Sequence, residues 1–267
     1  MSNSVLGVKV LVFLLLVAGF CSVAHAGSID SPIAHWTFDE ASGTTAYDSA
    51  GSNNGTLVNG PARNSGIIGG ALNFDGANDY INVPYNSAFQ LPVFTVSAWI
   101  NPDVDPTTKS GTILARGEDA SSDNWALVLR VDKLGSATEG VSIAYEGSSD
   151  QDYYWGTGYY PSMNTWTHIA ASRTSDGLLS VYINGNLYRQ WSSTLVPTNR
   201  CFQNFTVGAT WFKDSGSPYV TGFFDGGIDD VRVYDYALSG QEVALLVPEP
   251  LTMALLGLGG LMMRKRK

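Results

Sequence analysis

Paired carboxylates are the first chemistry to seek, because hydrolysis of a glycosidic bond needs two of them about 5 to 9 Å apart. On a β-strand, acids two or four residues apart share a face and could meet that requirement. No predicted strand carries two acids at this spacing, and the residues after Glu118 form a loop rich in Gly, Asp and Ser. The glutamates of residues 27–250 are Glu40, Glu118, Glu139, Glu146, Glu242 and Glu249.

The sequence also lacks the residue patterns of nucleophilic catalysis. Only His35 and His168 follow residue 26, and the chain has no Gly-x-Ser-x-Gly elbow. His168 alternates with Trp166 and Ala170, which is typical of a packed strand position. We therefore predict that the protein is not an enzyme, and we keep a glycan-active hydrolase with an unrecognised site as the alternative.

Aromatic side chains gather at two places among polar residues and glycines. Ring faces pack on the C–H faces of sugars, so such clusters favour carbohydrate binding, whereas any single ring is more typical of a packed core. The candidate ligand-binding residues are Asp152, Tyr153, Tyr154, Trp155, Tyr159 and Trp211.

The elements that position these residues read as β-strands. Residues 94–100 alternate, with Phe94, Val96, Ala98 and Ile100 on one face, and residues 141–145 and 179–183 do the same. Asn184-Gly185 between apolar stretches is a strong hairpin signal. Further strands are predicted at 125–131, 205–207 and 231–234.

One short helix is predicted at residues 239–246, where Ser239 and Glu242 have the spacing of a capping box. Many short strands separated by Gly, Asn and Asp indicate a single all-β domain. We predict a two-sheet antiparallel jelly-roll sandwich.

The N-terminus has the pattern of a secretory signal peptide. Lys9 is the only charge in residues 1–26, an apolar run covers 10–20, and Ala24-His25-Ala26 provides small residues for cleavage. We therefore predict that residues 1–26 are removed on export.

The C-terminus resembles a PEP-CTERM sorting signal. Pro248-Glu249-Pro250 precedes the apolar run 251–263 and the basic cluster 264–267. The resemblance implies recognition of residues 247–267 by an exosortase in a Gram-negative bacterium. It also implies transient anchoring in the inner membrane, and then release to the cell surface or medium.

The charge and the cysteine content limit which partners and which disulfides are expected. The formal charge is −9, and Lys9 and the four basic residues at 264–267 lie in the end segments, so the body is more acidic still. Such a surface disfavours nucleic acid as a partner. Cys201 is the one cysteine left after residue 26, so an internal disulfide is excluded.

An ordered set of segments across residues 31–246 resembles the LamG-like, concanavalin A-type domains. It includes the segments at 34–40, 69–76, 94–100, 166–170, 181–185 and 227–234. The resemblance implies a jelly roll over residues 27–246 that hosts lectins, glucanases and adhesive modules alike. Glucanases of this type carry a Glu-x-Asp-x-Glu type motif, which this sequence lacks.

By the same resemblance, a structural Ca²⁺ could join the N-terminal strand region to an Asp just before the last strand. The candidate ligands are Asp39, Asp75, Gly76 and Asp229, although turn and cap roles would explain them equally well. We expect a non-catalytic module that binds a glycan or exopolysaccharide. A structural, protein–protein adhesion role is a further alternative.

Overall fold

The computed structural model describes residues 29–118, 125–147, 151–197, 203–212 and 219–248. The predicted signal peptide, Cys201, Glu249, Pro250 and the apolar tail lie outside these residues. Within them, no helix is long and apolar enough to cross a membrane.

Nearly all regular structure in the described residues is β. A 3₁₀ turn at Ser87–Phe89 and the helix α1 at Gly240–Leu245 are the exceptions. The strands in chain order are β1 Ala34–Trp36, β2 Thr45–Ala46, β3 Gly55–Val58, β4 Ala62–Ser65, β5 Gly70–Asp75, β6 Tyr80–Val83, β7 Phe94–Pro102, β8 Gly111–Glu118, β9 Trp125–Asp132, β10 Gly140–Gly147, β11 Gln151–Gly156, β12 Thr167–Arg173, β13 Leu178–Ile183, β14 Asn186–Ser192, β15 Phe205–Val207, β16 Thr210–Phe212, β17 Tyr219–Thr221 and β18 Asp225–Tyr234.

The strands form two large antiparallel sheets, which confirms the predicted sandwich. Sheet 1 has the order β14-β13-β12-β7-β18-β5-β4, with β1 also paired to β18. Sheet 2 has the order β11-β10-β9-β8-β15-β6-β3-β2, and β16 and β17 form a separate ribbon. The first and last strands are therefore neighbours in sheet 1, as the resemblance implies.

The core lies between the two sheets. Phe94, Val96, Ala98 and Ile100 of β7 are all fully buried in it, so the predicted alternation is confirmed. Large aromatic side chains fill its centre, where the rings of Trp36 and Phe205 lie 5.6 Å apart. The predicted hairpin is also confirmed, because Asn184 and Gly185 both adopt positive φ between β13 and β14.

Helix α1 covers part of the outer face of sheet 1, the face turned away from sheet 2. The predicted capping box is confirmed, with Ser239 and Glu242 each bonding the other's backbone N–H. The helix packs Val243 against Ala170, Tyr182 and Tyr234 of the sheet. The rest of that outer face is left to polar side chains.

Asp229 ties the β4–β5 hairpin to β18. Its side chain is fully buried, and its Oδ2 accepts hydrogen bonds from the N–H groups of Ile67 and Ile68, at 3.0 and 3.1 Å. The turn closes through the Gly66 N–H to the Gly69 carbonyl. A Cβ on Gly66 would lie 2.4 Å from Asp229 Oδ2, so only glycine lets the turn approach the carboxylate this closely.

Arg63 joins the same hairpin to the edge of sheet 2. Its guanidinium pairs with Glu40 at 2.9 Å and donates to the carbonyls of Gly43 and Thr45. Because Thr45 belongs to β2 and Arg63 to β4, this side chain bridges the edges of the two sheets. The hairpin is thus held at its turn and along its strand.

We expect Asp229→Ala to lower the free energy of unfolding by about 1–3 kcal/mol, because two partly buried N–H groups lose their acceptor. Asp229→Asn keeps a carbonyl oxygen at that place and should cost less than half as much. Urea denaturation at pH 7 measures both. Equal losses from the two variants would show that these hydrogen bonds are not what holds the turn.

Candidate functional site

The outer face of sheet 1 carries a row of small and polar residues at the end away from helix α1. Asn73, Gly227 and Asn101 are direct partners across β5, β18 and β7. Because the adjacent row of Leu72, Ile228 and Ile100 is buried in the core, these three residues face outward. They form the floor of a pocket.

The pocket has a volume of about 250 Å³ and lies between the β4–β5 hairpin and the segment before β12. Trp166, half-buried, forms one side. A Cβ on Gly227 would lie 2.8 Å from Trp166 Cη2, so the glycine makes room for the indole ring. The lining residues are Asn64, Ser65, Ala71, Leu72, Asn73, Asn101, Asp103, Trp166 and Gly227.

Amide and carboxylate groups supply the polar lining. Asn73 Nδ2 donates to Asp103 Oδ2 at 3.1 Å, which holds the exposed Asp103 at the rim. The Oδ1 atom of Asn101 is buried and has no hydrogen-bond partner. In proteins most buried polar atoms have a hydrogen-bond partner from the protein or from ordered water, so this oxygen is an acceptor that the protein leaves open. The pocket therefore offers acceptor oxygens beside an aromatic ring.

A second pocket of about 480 Å³ adjoins the first and shares Asn64 and Ser65 with it. These two β4 residues form a ridge between the pockets. Asp39, Glu40 and Arg63 contribute the charged groups of the second pocket. All three are engaged: Asp39 Oδ1 accepts the Gly70 N–H, and Glu40 accepts the Tyr47 N–H and pairs with Arg63. We call the two pockets together the groove.

A buried polar row runs beside the groove on the same face. Trp99 is the direct partner of both Asp229 and His168, and all three side chains are buried. Trp99 Nε1, His168 Nδ1 and Asp229 Oδ1 have no hydrogen-bond partner. Burial raises the pKa of Asp229 to about 7, and the charge of Asp230 adds to that rise. The outer face of sheet 1 therefore carries buried polar groups outside the first pocket as well as inside it.

His168 is held neutral within this row. Its ring lies 5.3 Å from that of Trp99. Burial lowers its pKa to about 3, with Asp230 opposing the shift and Arg232 adding to it. The histidine is therefore a packed residue, as its alternation predicts, and its ring is uncharged at neutral pH.

His168 should make the fold less stable as the pH falls below about 6.5, because the unfolded chain binds a proton there that the folded chain binds only near pH 3, whereas the raised pKa of Asp229 acts in the opposite direction over the same range. Between pH 7 and 4.5 the His168 contribution is on the order of a few kcal/mol. We expect His168→Asn to remove that part of the pH dependence, measured by urea denaturation at both pH values. The same pH dependence in the variant and the wild type would contradict this assignment.

The four predicted calcium ligands fall into two places. Asp39 and Asp229 flank the turn at residues 66–69, and Asp75 and Gly76 lie at the other end of β5. Asp75 is opposite Asp225, four residues from Asp229 and thus about 13 Å along the strand. The described residues contain no group of three or more His, Cys, Asp or Glu side chains that could hold a metal.

The Asp75 corner is already occupied by protein groups. Asp75 Oδ1 accepts from the N–H groups of Ala77 and Asn78, and these bonds lower its pKa. The ammonium of Lys109 donates to the Gly76 carbonyl at 3.0 Å and pairs with Asp225 at 2.8 Å. A lysine thus supplies the positive charge at this corner. The four residues do not fit a single Ca²⁺ site, and the turn role explains Asp75 better.

The predicted sugar-binding aromatics are not brought together as one platform. Trp155 lies 4.9 Å from Tyr145, and both Trp155 and Tyr159 pack against the main core. Tyr154 is 44% exposed and faces outward from sheet 2 beside Ala144. Trp211 lies over Gly117 on the same outer face. The side chains of Asp152 and Tyr153 lie outside the described part of the structure.

The groove was missed because its residues sit within strands rather than in aromatic loops. Trp166 enters the sequence analysis only through its alternation with His168 and Ala170, and neither Asn73 nor Asn101 is among the candidate residues. The available signal is positional: segments 70–75 and 94–102 each place one amide, Asn73 or Asn101, directly after a core residue of a strand. Sequence gives no indication that those segments lie on either side of β18.

With this geometry in place, comparison with known proteins identifies the family. Residues 75–244 match the family model described as the concanavalin A-like lectin/glucanases superfamily. The chain belongs to this family. No curated protein matches the sequence.

Among solved structures, one similar domain is domain 4 of AbnA, a GH43 extracellular arabinanase from Geobacillus stearothermophilus, in complex with arabinotriose. The identity is 25% and the TM-score 0.64, over 82% of this chain and 98% of that one.

Two other similar structures share the fold at lower identity. Trypanosoma rangeli sialidase gives 17% identity and a TM-score of 0.59, over 82% of this chain and 33% of that one. The binding domain of botulinum neurotoxin serotype D gives 16% and 0.55, over 81% and 51%. This chain therefore spans about a third to a half of those two proteins.

Proposed function

We propose that the protein is a non-catalytic carbohydrate-binding domain and that the groove on the outer face of sheet 1 holds the glycan. The observation that carries the proposal is the polar pocket beside Trp166. Sugar recognition needs an aromatic surface for C–H faces and convergent polar groups for hydroxyls. The likeness to an arabinotriose-bound domain over nearly its whole length supports this class of ligand.

The carboxylates of the groove favour binding over hydrolysis. A glycosidase needs one acid free to protonate the leaving oxygen and a second free to act as nucleophile or base. Asp39 and Glu40 each accept a backbone N–H, and Glu40 also neutralises Arg63. Asp103 is the one acid of the first pocket. These carboxylates serve positioning and recognition.

The exposed Tyr154 and the half-buried Trp211 offer a second surface on the opposite sheet. Both residues lie on the outer face of sheet 2, and both belong to the predicted set of sugar-binding aromatics. The groove lies on the outer face of sheet 1 and this surface on the outer face of sheet 2. A single substitution on one sheet therefore tests binding at that surface without altering the other.

We expect the purified protein to be retained on columns of immobilised neutral polysaccharides, such as arabinan and xylan, without releasing reducing ends. Trp166→Ala should abolish retention because the pocket loses its aromatic side, while Trp166→Phe should keep part of it. Retention should be the same with calcium and with chelator. Thermal melts followed by circular dichroism confirm that each variant is folded.

Tyr154→Ala and Trp211→Ala are the matched controls on sheet 2, and both should be retained like the wild type. Loss of retention in these two variants, with Trp166→Ala unaffected, would move the site to sheet 2. Retention on none of the columns would contradict carbohydrate binding, and released reducing ends would contradict a non-catalytic role.

We also propose that the domain is exported and sorted to the cell surface or medium, on the evidence of its two end segments. The mature protein should then begin at Gly27 and lack the residues that follow the Pro248-Glu249-Pro250 motif. Intact-mass measurement of the protein from a host with an exosortase checks this. Recovery of the full 28.6 kDa chain from the cytoplasm would contradict it.

A further inference from the structure

We infer that the groove selects uncharged sugars and rejects uronic acids. This inference rests on the proposed carbohydrate-binding function and names the chemical class of its ligand. It is carried by the signs and partners of the groups that line the two pockets.

The first pocket presents acceptors and no cation. Among its nine lining residues there is no Lys, Arg or His, and Asp103 is its one ionised group. One N–H of the Asn73 amide already donates to Asp103. The Oδ1 atom of Asn101 is buried without a donor. These groups call for hydroxyl donors, which a neutral sugar ring supplies in abundance.

Carboxylate acceptors make the strongest bonds to sugar hydroxyls, because a hydrogen bond to an ionised oxygen is roughly twice as strong as a neutral one. The same charge penalises an anionic ligand. A uronate carboxylate close to Asp103 would be repelled by its like charge, which weakens the binding of the acid. No basic side chain lines that pocket to offset the repulsion.

The second pocket does not reverse this preference. Its one cation is Arg63, whose Nη1 pairs with Glu40 and whose Nη2 donates to the carbonyls of Gly43 and Thr45. Asp39 adds a further negative charge. An acidic oligosaccharide lying along the groove would therefore meet three carboxylates and one guanidinium that is already paired.

Isothermal titration of the purified protein with arabinotriose and with trigalacturonic acid, in the same low-salt buffer, tests the inference. We expect heat of binding with arabinotriose and at least tenfold weaker affinity for the acid. Asp103→Asn should weaken arabinotriose about tenfold and narrow the gap between the ligands, because the side chain keeps its size and loses its charge.

Asp235→Asn is the matched control, since it removes the same charge from an exposed position outside both pockets. It should leave both affinities unchanged. Thermal melts check that Asp103→Asn is folded.

The outcomes separate this inference from the function on which it rests. Tighter binding of trigalacturonic acid, or an Asp103→Asn variant that binds arabinotriose like the wild type, overturns the selectivity and leaves carbohydrate binding intact. Binding of neither oligosaccharide, together with no retention on the polysaccharide columns, overturns both.

Discussion

The buried carboxylate of Asp229 is the interaction on which the groove depends. It reaches from the last strand to two backbone N–H groups in the turn between β4 and β5, and so fixes the edge of sheet 1. Because Asn64 and Ser65 precede this turn, the ridge between the two pockets stands where that carboxylate holds it. Burial raises the pKa of Asp229, which means that the ionised carboxylate has lost favourable contact with water. An apolar side chain at this position would not have that desolvation cost.

The two faces of sheet 1 have different roles. The inner face contributes aliphatic and aromatic side chains to the core, and the outer face is shared between helix α1, a buried polar row and the groove. Polar groups are costly to bury without partners, and in this row Trp99 Nε1 and His168 Nδ1 have none, which is a cost that a purely structural module has no reason to carry. Its position beside the pocket agrees with a face that is built for binding.

The fold could be predicted closely from the sequence and the site could not, because the signals for the fold are local and the site depends on non-local strand pairing. Alternation, the Asn184-Gly185 turn and the capping box at Ser239 are local signals, and each is confirmed in its predicted place. The groove depends on non-local pairing, since Asn73 and Asn101 meet only because β18 lies between their strands. The aromatic runs were local signals too, but Trp155 packs inward, and a ring's direction is set by its register in the sheet.

The most direct measurement of the central claim is a two-dimensional ¹H–¹⁵N spectrum of the protein titrated with arabinotriose. The chain has seven tryptophans, whose indole N–H signals can be assigned by single Trp→Phe substitutions. If the groove binds the sugar, the Trp166 indole signal and the backbone amides of Asn101 and Gly227 shift in a saturable manner, while the Trp211 indole signal stays still. Shifts confined to Trp211 and Tyr154, with Trp166 unmoved, would show that the glycan lies on the other sheet and would contradict the account.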